Sequence, residues 1–253
     1  LYLIFEGVRF FPETTLFIMS GDKLVDKKSF KIKTLVLKKS KIQFSSLLEP
    51  TYKHGFCLPR DGKYIFEDGK QGWFFGGHEN HPPSHETTEL LIELCKSIGA
   101  NTIRLIPGPE LVKDFSTSEL DPEMLDRIHY LVYRLGQEGI YLHLTLTSYG
   151  RYTSERDPGN LPRECYSTGW IRGTMKKTAP SISRIARMTN KRIIELEQKY
   201  FENLLTSVNP YNGKRLVDDP TIMTVETANE VGLCGRRFDW CRRDDKYAFE
   251  YRM

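Results

Sequence analysis

The stretch SHETTELLIELCKSIGANTIRLIP, Ser84 to Pro107, contains one complete structural unit. Ser84 precedes a run in which Leu90, Leu91, Leu94, Cys95 and Ile98 recur at helical spacing, so it reads as the N-cap of an amphipathic helix. Gly99 is placed to end that helix in a left-handed turn. Asn101 to Ile106 is short and mostly apolar, and Pro107-Gly108-Pro109 stops it, as expected of a buried strand. A helix that feeds such a strand through a single glycine turn predicts helices packed on a parallel sheet.

The unit recurs downstream. Asp121-Pro122 predicts an N-cap and a first helical turn, and Met124, Leu125, Ile128, Leu131, Val132 and Leu135 fall on one face. Gly139 closes this helix and Ile140–Leu146 reads as a strand. A long polar stretch from Thr147 to about Thr189 follows. A third helix is expected from about Lys191 to Ser207, the turn Asn209–Gly213 ends it, and Thr221–Ala228 reads as the next strand. Upstream, Lys63–Phe66 and Gln71–Phe75 are β-prone; the second reads as the first strand of the sheet, with Trp73 in its core. No G-x-G-x-x-G follows any strand, which disfavours a dinucleotide-binding sheet. Polar residues gather where strands end: His78 and Glu79, Arg104, Thr147 and Ser148, Asn229 and Glu230. In a (β/α)8 barrel that rim carries the chemistry. Residues 1–50 stand apart as a short β-rich extension, in which Phe30 to Phe44 alternates with period two; residues 51–253 form the main domain.

With 253 residues, 39% of them hydrophobic, the chain is long enough to bury a sizeable core. A net charge of +4 is too mild to point to nucleic acid, and no run is long and apolar enough to span a bilayer. The first nineteen residues are interrupted by Glu6, Arg9 and Glu13 and lack the pattern of a signal peptide. Five cysteines form no C-x-x-C pair. His78, His81 and His85 lack the spacing of a helical zinc pair, and Pro82-Pro83 separates them, so no metal site is read there.

The segment Val217 to Glu230 carries the candidate chemistry. A glutamate at the tip of a barrel strand can serve as the acid that protonates a glycosidic oxygen, provided that its site is partly dry and its neighbours orient it. Asn229 is placed to hydrogen-bond a sugar hydroxyl. Arg104 has a planar, permanently charged fork suited to a carboxylate; a structural ion pair inside the barrel is the other reading of it. Tyr149 and Trp170 offer apolar ring faces for a pyranose. His78 is a candidate for lining the cleft or for a loop role.

These pieces resemble the clan A glycoside hydrolases, in particular family 5 enzymes of cellulase and mannanase type. The resemblance rests on Lys53–Phe56, Asp61–Gly69, Trp73–Gly77, Gly99–Leu105, Leu125–Ile128, Gly139–Leu142, Leu204–Gly213 and Asp219–Glu230, in that order, over roughly residues 50–232. It implies a (β/α)8 TIM barrel of which about the first four βα units are present. It also implies Glu230 as acid/base, Asn229 as the asparagine before it, and Arg104 as the arginine that supports the nucleophile. A carbohydrate substrate, no cofactor, and an extracellular or cell-envelope location follow from the same resemblance. The family's histidine after the third strand has no counterpart, since Thr147-Ser148-Tyr149 stands there; His143, inside that strand, reads as a packed or hydrogen-bonded histidine. The family nucleophile, a glutamate on the seventh strand, matches no residue of these 253. The expectation is therefore an N-terminal part of a retaining glycosidase, completed by the other half of its barrel. Two alternatives stay open: a non-catalytic carbohydrate-binding protein on the same scaffold, and a metal-dependent barrel hydrolase that uses the histidines.

Overall fold

A computed structural model of the chain describes residues 14–20, 23–30, 48–146 and 190–229. The expected strands within Phe30–Phe44 lie almost wholly outside these residues, as do Tyr149, Trp170 and Glu230. The chain divides into two compact units, Leu1–Ile42 and Gln43–Met253. In the first, β1 (Thr14–Ser20) and β2 (Lys23–Phe30) form an antiparallel hairpin whose register shifts between Ile18 and Met19.

The second unit is built on a four-stranded parallel sheet. Its strands are β6 (Gly76–Glu79), β7 (Thr102–Leu105), β10 (Tyr141–Thr145) and β11 (Ile222–Glu226), in spatial order β11-β10-β7-β6. The helices α1 (His85–Ile98), α2 (Pro122–Gln137) and α3 (Lys191–Leu205) lie between successive strands in the chain. Each begins at a side-chain cap: Ser84 accepts from the Thr87 N–H, Asp121 from Met124 and Asn190 from Ile193. Gly99 takes φ 74°, the left-handed conformation that turns the chain from α1 toward β7.

The core lies between this sheet and its helices. Ile103 and Leu105 of β7, with Leu142 and Leu144 of β10, alternate onto one face. They join Ile92 and Cys95 of α1, Ile128, Leu131, Val132 and Leu135 of α2, and Tyr200 and Leu204 of α3. On α2 the expected face packs as read, with Met124 and Leu125 at its edge. On α1 the face is rotated. Thr88, Ile92 and Cys95 are buried, whereas Leu90, Leu94 and Ile98, spaced four apart, form an exposed stripe. Arg134 clamps α2 to α1 through a fork on Glu89, with Nε 2.7 Å from Oε1 and Nη2 2.9 Å from Oε2.

The first parallel strand starts later than its sequence suggests. Gln71–Gly72 is β5 and pairs antiparallel with β4 (Lys63–Phe66), itself paired with β3 (Cys57–Arg60), and the parallel strand begins at Gly76. This small sheet packs its Phe66 ring against Tyr141 at 5.3 Å between centroids, and Phe74 against Tyr141 at 5.4 Å. Phe74 takes the inward place expected of Trp73, which is 77% exposed; the Trp73 carbonyl instead accepts from the Asn101 side chain at 2.7 Å. The short strands β8 (Val112–Asp114) and β9 (Glu119–Leu120) form a separate hairpin between β7 and α2. Among the described residues no helix is long and apolar enough to cross a membrane.

Entry into β11 is fixed by side chains that replace missing backbone bonds. The buried Asp219 carboxylate accepts from the Thr221 N–H at 2.9 Å and from Asn212 Nδ2 at 2.7 Å. Asn209, fully buried, donates to the His129 carbonyl at 2.8 Å and accepts from the Tyr211 N–H at 3.0 Å. Replacing Asn209 with alanine takes this partner from both backbone groups. It is expected to cost about 1–3 kcal/mol of stability, measured as a lowered midpoint in urea unfolding.

Candidate functional site at the C-terminal end of the sheet

The polar residues of the sheet share the face opposite the packed helices. Parallel register sets His78 of β6 beside Arg104 of β7, Arg104 beside His143 of β10, and Thr145 beside Glu226 of β11. With a side-chain period of two, His78, Arg104, His143, Thr145, Thr224 and Glu226 line one surface near the C-terminal strand ends.

Their hydrogen bonds converge on a single atom. Glu226 Oε2 accepts from Arg104 Nε at 3.0 Å, from Arg104 Nη2 at 2.5 Å and from Thr145 Oγ1 at 2.8 Å. His143 Nε2 lies 3.2 Å from the same oxygen, which receives it as an N–H donor. Arg104 Nη2 also reaches Asn229 Oδ1 at 2.9 Å, just beyond the end of β11. The site therefore draws on three strands, and Arg104 joins Glu226 to Asn229. Partial burial opposes the charge on Glu226, but the bonds from Arg104 and Thr145 outweigh it and hold the carboxyl below its usual 4.5.

That depression predicts a pH dependence. Where Glu226 is ionised in the folded chain and protonated in the unfolded one, the unfolded state binds more protons and stability rises with pH. The contribution is complete above about pH 4.5 and is lost as pH falls through the lower folded value. Wild-type protein and Glu226→Gln, melted from pH 7 to pH 3, are expected to differ by a constant amount near neutrality and to converge in acid.

Of the residues picked from sequence, Arg104 and Asn229 are brought into direct contact. His78 is exposed and follows them in register. Glu230, Tyr149 and Trp170 lie outside the described residues. Glu226 escaped the sequence reading. Its signal was an acidic residue in an apolar strand, which folding tolerates only beside a partner such as Arg104. His143 is hydrogen-bonded, as expected, but to this site. Of the histidines near the first strand end, His81 and His85 take separate acids, His81 with Glu110 at 2.7 Å and His85 with Asp126 at 2.9 Å. Among the described residues no cluster of three or more His, Cys, Asp or Glu could hold a metal ion.

No family model matches the chain, and no characterised protein matches it by sequence. Solved structures do match by fold. The glycoside hydrolase family 5 mannosidase from Rhizomucor miehei superposes with a TM-score of 0.52 at 14% identity, over 78% of this chain and 54% of that one. A mutant of the same mannosidase gives 0.51 at 13% identity, over 78% and 53%. An endo-1,4-beta-mannanase, also from Rhizomucor miehei, gives 0.49 at 21% identity, over 69% and 48%. The chain thus spans about half the length of the structures it matches. Its fold is like that of glycoside hydrolase family 5, present here as four parallel strands with their helices.

Proposed function

We propose that these residues form the acid/base side of a retaining glycoside hydrolase site that cleaves O-glycosidic bonds of a poly- or oligosaccharide. The observation that carries the reading is Asn229, fastened by Arg104 at the C-terminal end of β11 and followed directly by Glu230. In this fold that end of the strand faces the reaction centre.

The chemistry assigns each group one task. Glu230 protonates the leaving oxygen and then, as a carboxylate, activates the water that releases the sugar. Asn229 meets a sugar hydroxyl. Arg104, through the Glu226 and Asn229 contacts, stiffens the end of the strand that carries both. The retaining route needs a second carboxylate about 5–5.5 Å from the first. That nucleophile is assigned to residues outside these four strands, in keeping with a match over about half of the mannosidase. Tyr149, Trp170 and His78 are the candidates for the sugar subsites, and the stretch 147–189 for specificity. The reading requires no cofactor.

The test is a panel of β-mannans and β-glucans offered to the natural polypeptide that carries these residues, with the anomer of the first product followed by NMR. Hydrolysis with retention supports the reading. Sugar binding without turnover would transfer the fold to a carbohydrate-binding role. The 253-residue chain alone is expected to turn over none of these substrates; turnover that Glu230→Gln abolishes would show that the second carboxylate lies within it.

A further inference from the structure

We propose that Glu226 is a positioning residue that sets which way the Asn229 amide faces. A guanidinium has only donors, so the atom that Asn229 turns to Arg104 Nη2, 2.9 Å away, must be its carbonyl oxygen. The NH2 group is then directed away from Arg104. Arg104 can hold that oxygen only if its own plane is fixed. Glu226 fixes it by taking both Nε and Nη2 on one oxygen. Glu226 is in turn held from β10 by Thr145 Oγ1 at 2.8 Å and His143 Nε2 at 3.2 Å. Orientation thus passes from β10 through Glu226 and Arg104 to Asn229. Arg104 and His143 are the charged or titratable groups that face the carboxylate among the described residues. On the glycoside hydrolase reading, the amide so turned is a donor aimed at a sugar hydroxyl oxygen, and its reversal would present a second acceptor instead.

The 15N-labelled 253-residue chain tests this. The Asn229 side-chain NH2 pair is identified as the one missing from Asn229→Ala. In wild type this pair is expected to move as pH is lowered below 4.5, with Glu226 protonation, and the movement should persist in His143→Gln, which excludes His143 as the group that titrates. In Glu226→Gln that movement should vanish and the pair should shift at neutral pH, while the backbone amides of the buried Leu142 and Leu144 stay in place. A pair that titrates unchanged in a folded Glu226→Gln overturns the proposal. Should Glu226→Gln disturb Leu142 and Leu144, Arg104→Lys replaces it. Lysine keeps a cation near Glu226 but has no fork, so the Asn229 pair must move; an unmoved pair overturns the proposal. Added β-linked manno- or gluco-oligosaccharide separates the two readings. If no sugar moves an Asn229 pair that still depends on Glu226, the positioning role stands and the sugar site is withdrawn.

Discussion

Glu230→Gln is expected to lower kcat on an O-glycoside by roughly 10²–10⁴-fold in the natural polypeptide, the range that a positioned general acid supplies. Glutamine keeps the size and the carbonyl oxygen but cannot deliver a proton to the leaving oxygen. The loss should therefore follow the leaving group. Substrates with a good leaving group, such as nitrophenyl glycosides, need little protonation and should retain most of the first step. Poor leaving groups, such as a second sugar, should show the full effect. On the proposed route Glu230 also serves as base in the second step. A good leaving group should therefore let glycosyl-enzyme accumulate and lower KM along with kcat, while kcat/KM, which reports the first step, is largely kept. An equal loss of kcat/KM on both substrate classes would mean that Glu230 contributes to binding or folding rather than to acid catalysis.

The second large effect concerns packing. At Gly76, the first residue of β6, an added Cβ would stand 1.6 Å from the Thr102 carbonyl oxygen and 2.7 Å from its carbon. Thr102 is the register partner of Gly76, so the obstacle is backbone and cannot rotate aside. Gly76→Ala must therefore push β6 away from β7. The expected cost is about 3 kcal/mol or more, at the upper end of overpacking effects. Urea unfolding should show it as a lowered midpoint, and amide exchange should show it first at His78 and Ile106, whose strand contacts depend on this spacing. Gly77→Ala is the control: nothing lies within 4 Å of its added Cβ, and it should be nearly silent. Equal stability of the two variants would show that β6 does not approach β7 as described.

The three helices were legible because their signals are local. Ser84, Asp121 and Asn190 cap them through their own side chains, and Gly99 supplies a conformation that few other residues adopt. Periodicity alone could not choose between the two apolar stripes of α1. Leu90, Leu94 and Ile98 are as well spaced as Thr88, Ile92 and Cys95, and only the position of the sheet decides which is buried. The start of the first parallel strand was obscured for a related reason. Gln71–Phe75 has β-prone residues, but its partner is the preceding hairpin, and pairing is a tertiary property. In the site, Arg104 and Asn229 were found through their places at strand ends. Glu226 was missed because its meaning lies in partners 81 and 122 residues away in sequence. A charged residue inside an apolar strand asks for such a partner but does not name it.

The sheet has one apolar face, which holds the helices, and one largely polar face, which carries the candidate site. Ile103, Leu105, Leu142 and Leu144 point to the helices, while Arg104, His143 and Thr145, interleaved with them in sequence, point to the opposite side. Adjacent codons therefore answer to different pressures. Substitutions at Arg104 or His143 can thus reshape the polar side while the helix contacts of their neighbours Ile103, Leu105, Leu142 and Leu144 stay as they are.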